Sequence, residues 1–307
     1  MSKKLVSLFL VVLIALSMTA AVSAEEATVT VTDMHGRTIT LTEPVTRIVA
    51  LMPADCEILC AIGCEELLVA RGEYCDYPES ILALPALSTG DQLNIEEILA
   101  LEPQVVLMSD MNQTSAQVQQ LENNGVQVVV STTTDIDGVY AAIRMISALV
   151  GRTAEGEAVI ERMQATFAYL SGLRESSRET IYFEVSPLEW GLWTAGEQTF
   201  MHELAQICGM QNAFADVTGW QPISVEQVIE RDPDHIVLVT GMGETAVDEV
   251  LSREGWGDMK AVRSASVYNA DSYAMTRPAP RLAEAAIDLY EFLYDVEIDE
   301  NAIPAAE

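Results

Sequence analysis

Positive charge is what this sequence has least of. Only 16 of its 307 residues are lysine or arginine, against 47 aspartates and glutamates, for a net charge of −31. A nucleic-acid-binding surface needs a basic footprint, and attraction to anionic lipid draws on the same side chains, so both classes are excluded. Histidine occurs three times, too few for a multi-histidine metal cage. Neither G-x-S-x-G nor H-E-x-x-H is present, and nothing in the sequence brings Cys56 to His202 as a thiol pair. Enzymatic activity is therefore not expected. Beyond the N-terminus no apolar run reaches the roughly 18 residues of a membrane span. Disorder is excluded too: half the chain is apolar and 21% is charged, enough for a substantial core.

What is present begins with an address. Ser2-Lys3-Lys4, an apolar run from Leu5 to Met18 and the small residues Val22-Ser23-Ala24 read as a signal peptide over residues 1–24, cleaved before Glu25. Losing Lys3 and Lys4 leaves 14 bases against 47 acids, a net charge of −33. No cysteine precedes Cys56, so a lipoprotein-type cleavage cysteine is not expected. The mature chain reads as exported, soluble and monomeric, in a periplasm or at an extracellular face.

Five cysteines in an exported chain leave at least one unpaired. Cys56, Cys60 and Cys64 recur every four residues in ADCEILCAIGC, a spacing that predicts one buried stripe along a helix and a poor geometry for mutual disulfides. A Cys64–Cys75 bridge or a soft-metal site is the alternative.

Along the mature chain, TVTVTDMHGRTITL alternates around His35-Gly36 as a hairpin. Strands RIVAL, LLVAR, QVVLMS and VQVVVS then alternate with helices near 54–62, 94–103, 114–124 and 136–150. A proline-free helical stretch from Thr153 to about Ser177 follows, and the strand–helix alternation resumes at TIYFEV, closing with a helix near 278–294. The expectation is an α/β protein of two Rossmann-like lobes, 25–152 and 179–307, bridged by one long helix over 153–178. NIEEILALEPQVVLM and SVEQVIERDPDHIVLV echo each other at an offset of 130 residues. Each carries an N-cap residue (Asn94, Ser224), a glutamate two positions on (Glu96, Glu226), a helix-stopping proline and a buried strand.

The ordered set VTDMHGRTITL, RIVALMPADCEILCAIG, YCDYP, NIEEILALEPQVVL, WTAGEQTFMHELAQICGMQNAF, WQPISVEQVI, PDHIVLV and RPAPRLAEA resembles one family throughout residues 27–294. That family is the class III, helical-backbone binding proteins of ABC importers for cobalamin and ferric siderophores. The resemblance implies two lobes with a ligand cleft between them. It also implies no resident cofactor, a metal chelate as cargo, and an ABC permease dimer with its ATPase as partner. It assigns Tyr74, Trp193, Trp220 and Arg277 to the ligand cleft, and Glu96 and Glu226 to permease docking, one acid per lobe. The family can place a tryptophan before the first-lobe glutamate motif; this chain has Gly90 there, a departure that weakens a specifically cobalamin assignment. A haem receptor of the same fold, with Tyr74 or Tyr77 as axial ligand and Arg71 and Arg277 for the propionates, is the runner-up. A non-transport surface receptor is a third reading. Strong acidity favours a neutral or weakly charged chelate over haem or a tris-catecholate.

Overall fold

A computed structural model describes residues 28–110, 114–173 and 177–305. The expected signal peptide lies outside these residues, as do 174–176 at the end of the expected bridge. The hairpin forms as read, β1 (Val29–Thr32) antiparallel to β2 (Thr38–Leu41), with Val29 opposite Leu41. Its turn is organised by Asp33, whose carboxylate accepts from the backbone N–H of His35, Arg37 and Val130. The last of these ties the hairpin to the first lobe.

That lobe runs β3 (Ile48–Ala50), α1 (Pro53–Ala61), β4 (Leu68–Gly72), β5 (Ala86–Leu87), α2 (Ile95–Ala100), β6 (Val105–Met108), α3 (Ser115–Asn123) and β7 (Gln127–Val130). Its strands form one parallel sheet in the order β5-β4-β3-β6-β7. Proline at the first position opens α1, where no N–H is needed, and the helix closes before Gly63, at φ +71°. This early stop corrects the cysteine stripe. Cys56 and Cys60 lie on α1, whereas Cys64 lies beyond the turn; Cys60 is half-buried and all five thiols are unbonded.

Two helices follow, α4 (Ile136–Leu149) and α5 (Thr153–Leu173). The 21 residues of α5 span about 30 Å and form the bridge. The second lobe comprises β8 (Thr180–Glu184), β9 (Trp193–Ala195), α6 (Phe200–Ile207), β10 (Gln211–Asn212), β11 (Trp220–Pro222), α7 (Val225–Arg231) and β12 (His235–Leu238). It continues with α8 (Ala246–Leu251), α9 (Lys260–Arg263), β13 (Val267–Asn269), α10 (Ser272–Thr276) and α11 (Leu282–Tyr294). The closing helix starts later than expected because Pro278 and Pro280 keep 277–281 out of regular helix.

The second sheet is also parallel, ordered β10-β8-β12-β13, with β9 and β11 as a separate antiparallel ribbon. Taking strands in chain order within each sheet and leaving out β5, both lobes read second-first-third-fourth. The echo at offset 130 is the same unit in each: α2 then β6, α7 then β12.

Strand residues are apolar on both faces because both faces are covered. Val49, Val106, Met108 and Val128 face a core private to the first lobe, and Tyr182, Ile236 and Leu238 face one private to the second. Their alternating neighbours, Ile48, Ala50, Val105 and Leu107 with Ile181, Phe183 and Val237, join a single core that also takes in α4, α5 and α11. One continuous apolar body therefore underlies both lobes.

Candidate functional site

The first sheet directs the carboxyl ends of β3, β4, β6 and β7, and the second that of β8, toward a common cavity of about 730 Å³, the position at which open α/β sheets bind ligands. The residues that follow the strands form its wall: Met52 after β3, Tyr74 after β4, Ser109 after β6, Ser131 after β7 and Val185 after β8. The second lobe adds Phe200, Met201 and Trp220, and the chain between α10 and α11 adds Arg277. Methionine, aromatic and aliphatic side chains dominate. A hydroxyl ledge, Ser131 to Thr134, interrupts them along one side.

The aromatic residues assigned to ligand differ in placement. Tyr74 stands 65% exposed at the cavity edge, able to offer either ring or phenol. Trp220 is half-buried, braced by Phe200 at 5.5 Å between ring centroids, which holds its orientation while leaving part of the indole toward the cavity. Trp193 is not among the lining residues. It pairs with Pro222 in the β9–β11 ribbon and is 41% exposed elsewhere on the surface. Tyr273, not singled out by sequence, joins the wall and lies 53% exposed.

Arg277 lines the cavity, but its charge is already engaged. Its Nη1 meets Asp76 at 2.6 Å and Glu57 at 3.2 Å, its Nη2 donates to the Tyr74 carbonyl at 3.1 Å, and the guanidinium lies over the Tyr273 ring at 4.3 Å. Arg281, which opens the closing helix, grips the buried Glu57 with two bonds of 2.9 and 2.7 Å and stacks over Tyr77. Burial opposes the Arg281 charge, but the Glu57 hydrogen bonds outweigh it and raise its pKa. Arg71, the other arginine offered to haem propionates, is buried and donates to the carbonyls of Gly72 and Cys75. Among the described residues, the cavity wall holds no other lysine or arginine. The arginines therefore hold the Tyr74 loop in place instead of presenting free positive charge.

Sequence reading also passed over Asp55. It lines the cavity from the first turn of α1 and is wholly buried, with Oδ1 accepting from Ser131 Oγ at 2.5 Å and Oδ2 without a hydrogen-bond partner. Burial pushes its pKa up to about 7 against the opposing Ser131 hydrogen bond. An acid inside a proline-led helix start reads as a capping residue, and that pattern concealed it.

Glu96 and Glu226 occupy the same position, second in α2 and α7, and both are exposed. Asn94 caps the first helix by accepting from the N–H of Glu96 and Glu97; Ser224 caps the second in a reciprocal box with Gln227. A backbone hydrogen bond at the helix start, with help from Ser224, lowers the Glu226 pKa. Among the described residues no group of three or more His, Cys, Asp or Glu is placed to hold a metal ion, and no helix is long and apolar enough to cross a membrane.

Two sheets of one strand order, a cavity at their carboxyl ends and a bridging helix define a two-lobed solute-binding protein. The chain belongs to the periplasmic binding protein family, whose model matches residues 48–274, confirming the resemblance read from sequence. It is 29% identical to the uncharacterized ABC transporter substrate-binding lipoprotein YvrC of Bacillus subtilis, over 87% of this chain and 85% of that protein. It is 27% identical to the vitamin B12-binding protein of Vibrio parahaemolyticus, over 83% and 92%. The periplasmic haem-binding protein RhuT from Roseiflexus superposes with a TM-score of 0.73 at 26% identity, covering 81% of this chain and 98% of that one.

Proposed function

We propose that this protein is the exported receptor of an ABC importer, capturing a neutral or weakly charged metal chelate, with a corrinoid as the preferred class. It would deliver that cargo to a permease dimer driven by its ATPase, without turning the cargo over. The observation that carries the reading is the cavity wall: broad apolar and aromatic surface, a hydroxyl ledge, and a single cation already neutralised by Glu57 and Asp76. Such a wall suits a flat macrocycle with amide edges, since aromatic faces bury apolar area and hydroxyls meet amides. Among the described residues of the cavity wall, a dianionic ligand would find no free arginine. Tyr74 and Trp220 serve as stacking residues and Arg277 as the residue that positions Tyr74. Glu96 and Glu226 serve as matched docking acids for a two-fold partner. The B12-binding relative supports the corrinoid class. The similarity to a haem-binding protein, together with the Tyr74 phenol, supports haem as the second reading.

The test is a tryptophan-fluorescence titration of the mature protein with cyanocobalamin, a ferric hydroxamate, a ferric catecholate and haem. Micromolar or tighter binding of the first is expected. Tight haem binding with none for cobalamin selects the second reading, and no response from any of the four in fluorescence or melting temperature removes the ligand class. Permease and ATPase genes encoded beside this one separate import from a surface-receptor role.

A further inference from the structure

We propose that Cys56 and Cys75 form the one disulfide bond of the exported protein, stapling the loop that carries Tyr74 to the first turn of α1. The inference rests on reading the chain as exported, because such bonds persist in oxidising compartments.

The geometry begins with Gly72 at the end of β4. A Cβ there would lie 2.3 Å from the carbonyl oxygen of Leu51, so only glycine lets the chain come this close to the segment between β3 and α1. The chain then turns back. The N–H of Cys75 donates to the Gly72 carbonyl at 3.0 Å, and the Cys75 carbonyl is held by Arg71 Nη1 at 2.8 Å. This places the Cys75 side chain over Ala50. Cys56 arrives at the same point from α1, its N–H bonded to the Met52 carbonyl at 3.2 Å.

Both sulfurs point at one acceptor, the Ala50 carbonyl oxygen, at 3.7 Å from Cys56 and 3.9 Å from Cys75. Cys75 is near enough to act directly on the Cys56 thiol. Both residues are wholly buried. The other cysteines share no such point: Cys64 donates to the Ile62 carbonyl, Cys208 to the Ala286 carbonyl, and Cys60 is half-buried on α1. Cys75 therefore shares its acceptor with Cys56 and not with Cys64, and the two come from separate elements instead of one helix face.

The neighbouring Cys75 and burial raise the Cys56 pKa well above the usual thiol range, so the folded Cys56 thiol is a poor nucleophile. Oxidation belongs to the folding stage, before the pair is enclosed. The thiolate of one cysteine attacks the disulfide of an exported thiol–disulfide catalyst and releases one of its thiols. The second cysteine then displaces the other from the mixed disulfide. The protein loses two S–H hydrogens and gains one S–S bond, and the two electrons leave with the oxidant as its two thiols.

The full chain, reduced and denatured, is refolded in a buffer of reduced and oxidised glutathione, then alkylated in denaturant and digested without reduction. Mass analysis is expected to show the Cys56 and Cys75 peptides linked, with Cys60, Cys64 and Cys208 alkylated. The oxidised protein should melt several degrees above the reduced one, and amide exchange across residues 73–78 should slow. Five alkylated cysteines, or a link between any other pair, overturn the proposal, as does unchanged exchange across 73–78. The comparison of oxidised with reduced wild type stands even if Cys75→Ser fails to fold. The same mass measurement on protein recovered from cells reports leader removal separately: an intact leader counts against export without touching the refolding result.

Discussion

The two lobes share a strand order but use their buried acids differently. In the first, Glu57 of α1 reaches the two arginines that follow the second sheet, Arg277 and Arg281, so a buried carboxylate on one lobe is neutralised by chain from beyond the other. In the second, Glu184 at the end of β8 is held by Arg253 through two bonds of 2.8 and 3.0 Å, and Arg253 also pairs with Glu249 nearby. That network stays within its lobe. Buried ion pairs contribute little net stability over apolar packing but penalise any arrangement that separates them. The first network therefore specifies how lobe sits on lobe, and the second how one helix sits on one sheet.

Four measurements sharpen or break this contrast. The largest effect is expected from Glu57→Ala, which removes the one buried carboxylate shared by two buried guanidiniums, leaving Arg277 with Asp76 and Arg281 with the more distant Asp271, and should cost roughly 3 kcal/mol in urea unfolding. Glu184→Ala should cost less, because it disturbs one guanidinium instead of two and Arg253 keeps Glu249 at close range. Glu57→Ala should also weaken chelate binding through the Tyr74 loop, whereas Glu184→Ala should not. Equal losses in both variants would end the distinction.

The second asymmetry is the acid in the cavity wall, which only the first lobe supplies. Asp55 carries a folded pKa of about 7 against an ordinary value of 3.8. Folding thus favours its protonated form. Its contribution is fully present below the unfolded pKa and is lost as pH rises through about 7. Stability should therefore fall by about 2–3 kcal/mol from Asp55 between pH 5 and pH 8, and Asp55→Asn should lack that share. A pH profile identical in the two proteins would show that Asp55 is ionised throughout.

Within the second lobe, the two tryptophans assigned to ligand separate by position. Trp220→Ala should weaken binding by roughly 1–3 kcal/mol, while Trp193→Ala should leave affinity unchanged. Loss of affinity in Trp193→Ala would extend the site beyond this cavity. The smallest energies lie at the exposed acids. Glu96→Arg and Glu226→Arg should each reduce permease complex formation and transport, more at low salt than at high, with chelate affinity intact. Normal transport by the double variant would leave both acids as helix-start residues only.

Much of the fold was legible because strand patterns and helix signals are local. Asn94 and Ser224 cap the helices their sequence positions announce. The 130-residue echo marks the helix–strand unit that the two lobes share. What was hidden depended on contacts distant in sequence. Arg277 looks like a free cation until Glu57 and Asp76, some 200 positions earlier, are placed against it. Trp193 and Trp220 look alike as residues of Gly-rich loops. A three-residue strand is too short to say which face each presents, and the β9–β11 pairing decides it. Cys64 fitted a helical stripe that Gly63 ends.

The apolar body shared by both sheets bears on what the receptor can report about itself. Lobes that swing apart turn occupancy into a change of outline that a partner reads at a distance. Here Ile48 and Phe183 belong to one uninterrupted interior, and prising it open would expose that interior to water. A permease that distinguishes a loaded receptor from an empty one would then have a local message to read: the cargo's own uncovered surface at the cavity mouth, and the posture of the Tyr74 loop beside it. Selectivity of import would be written at the rim of the cavity, in a few side chains, and not in the shape of the whole molecule.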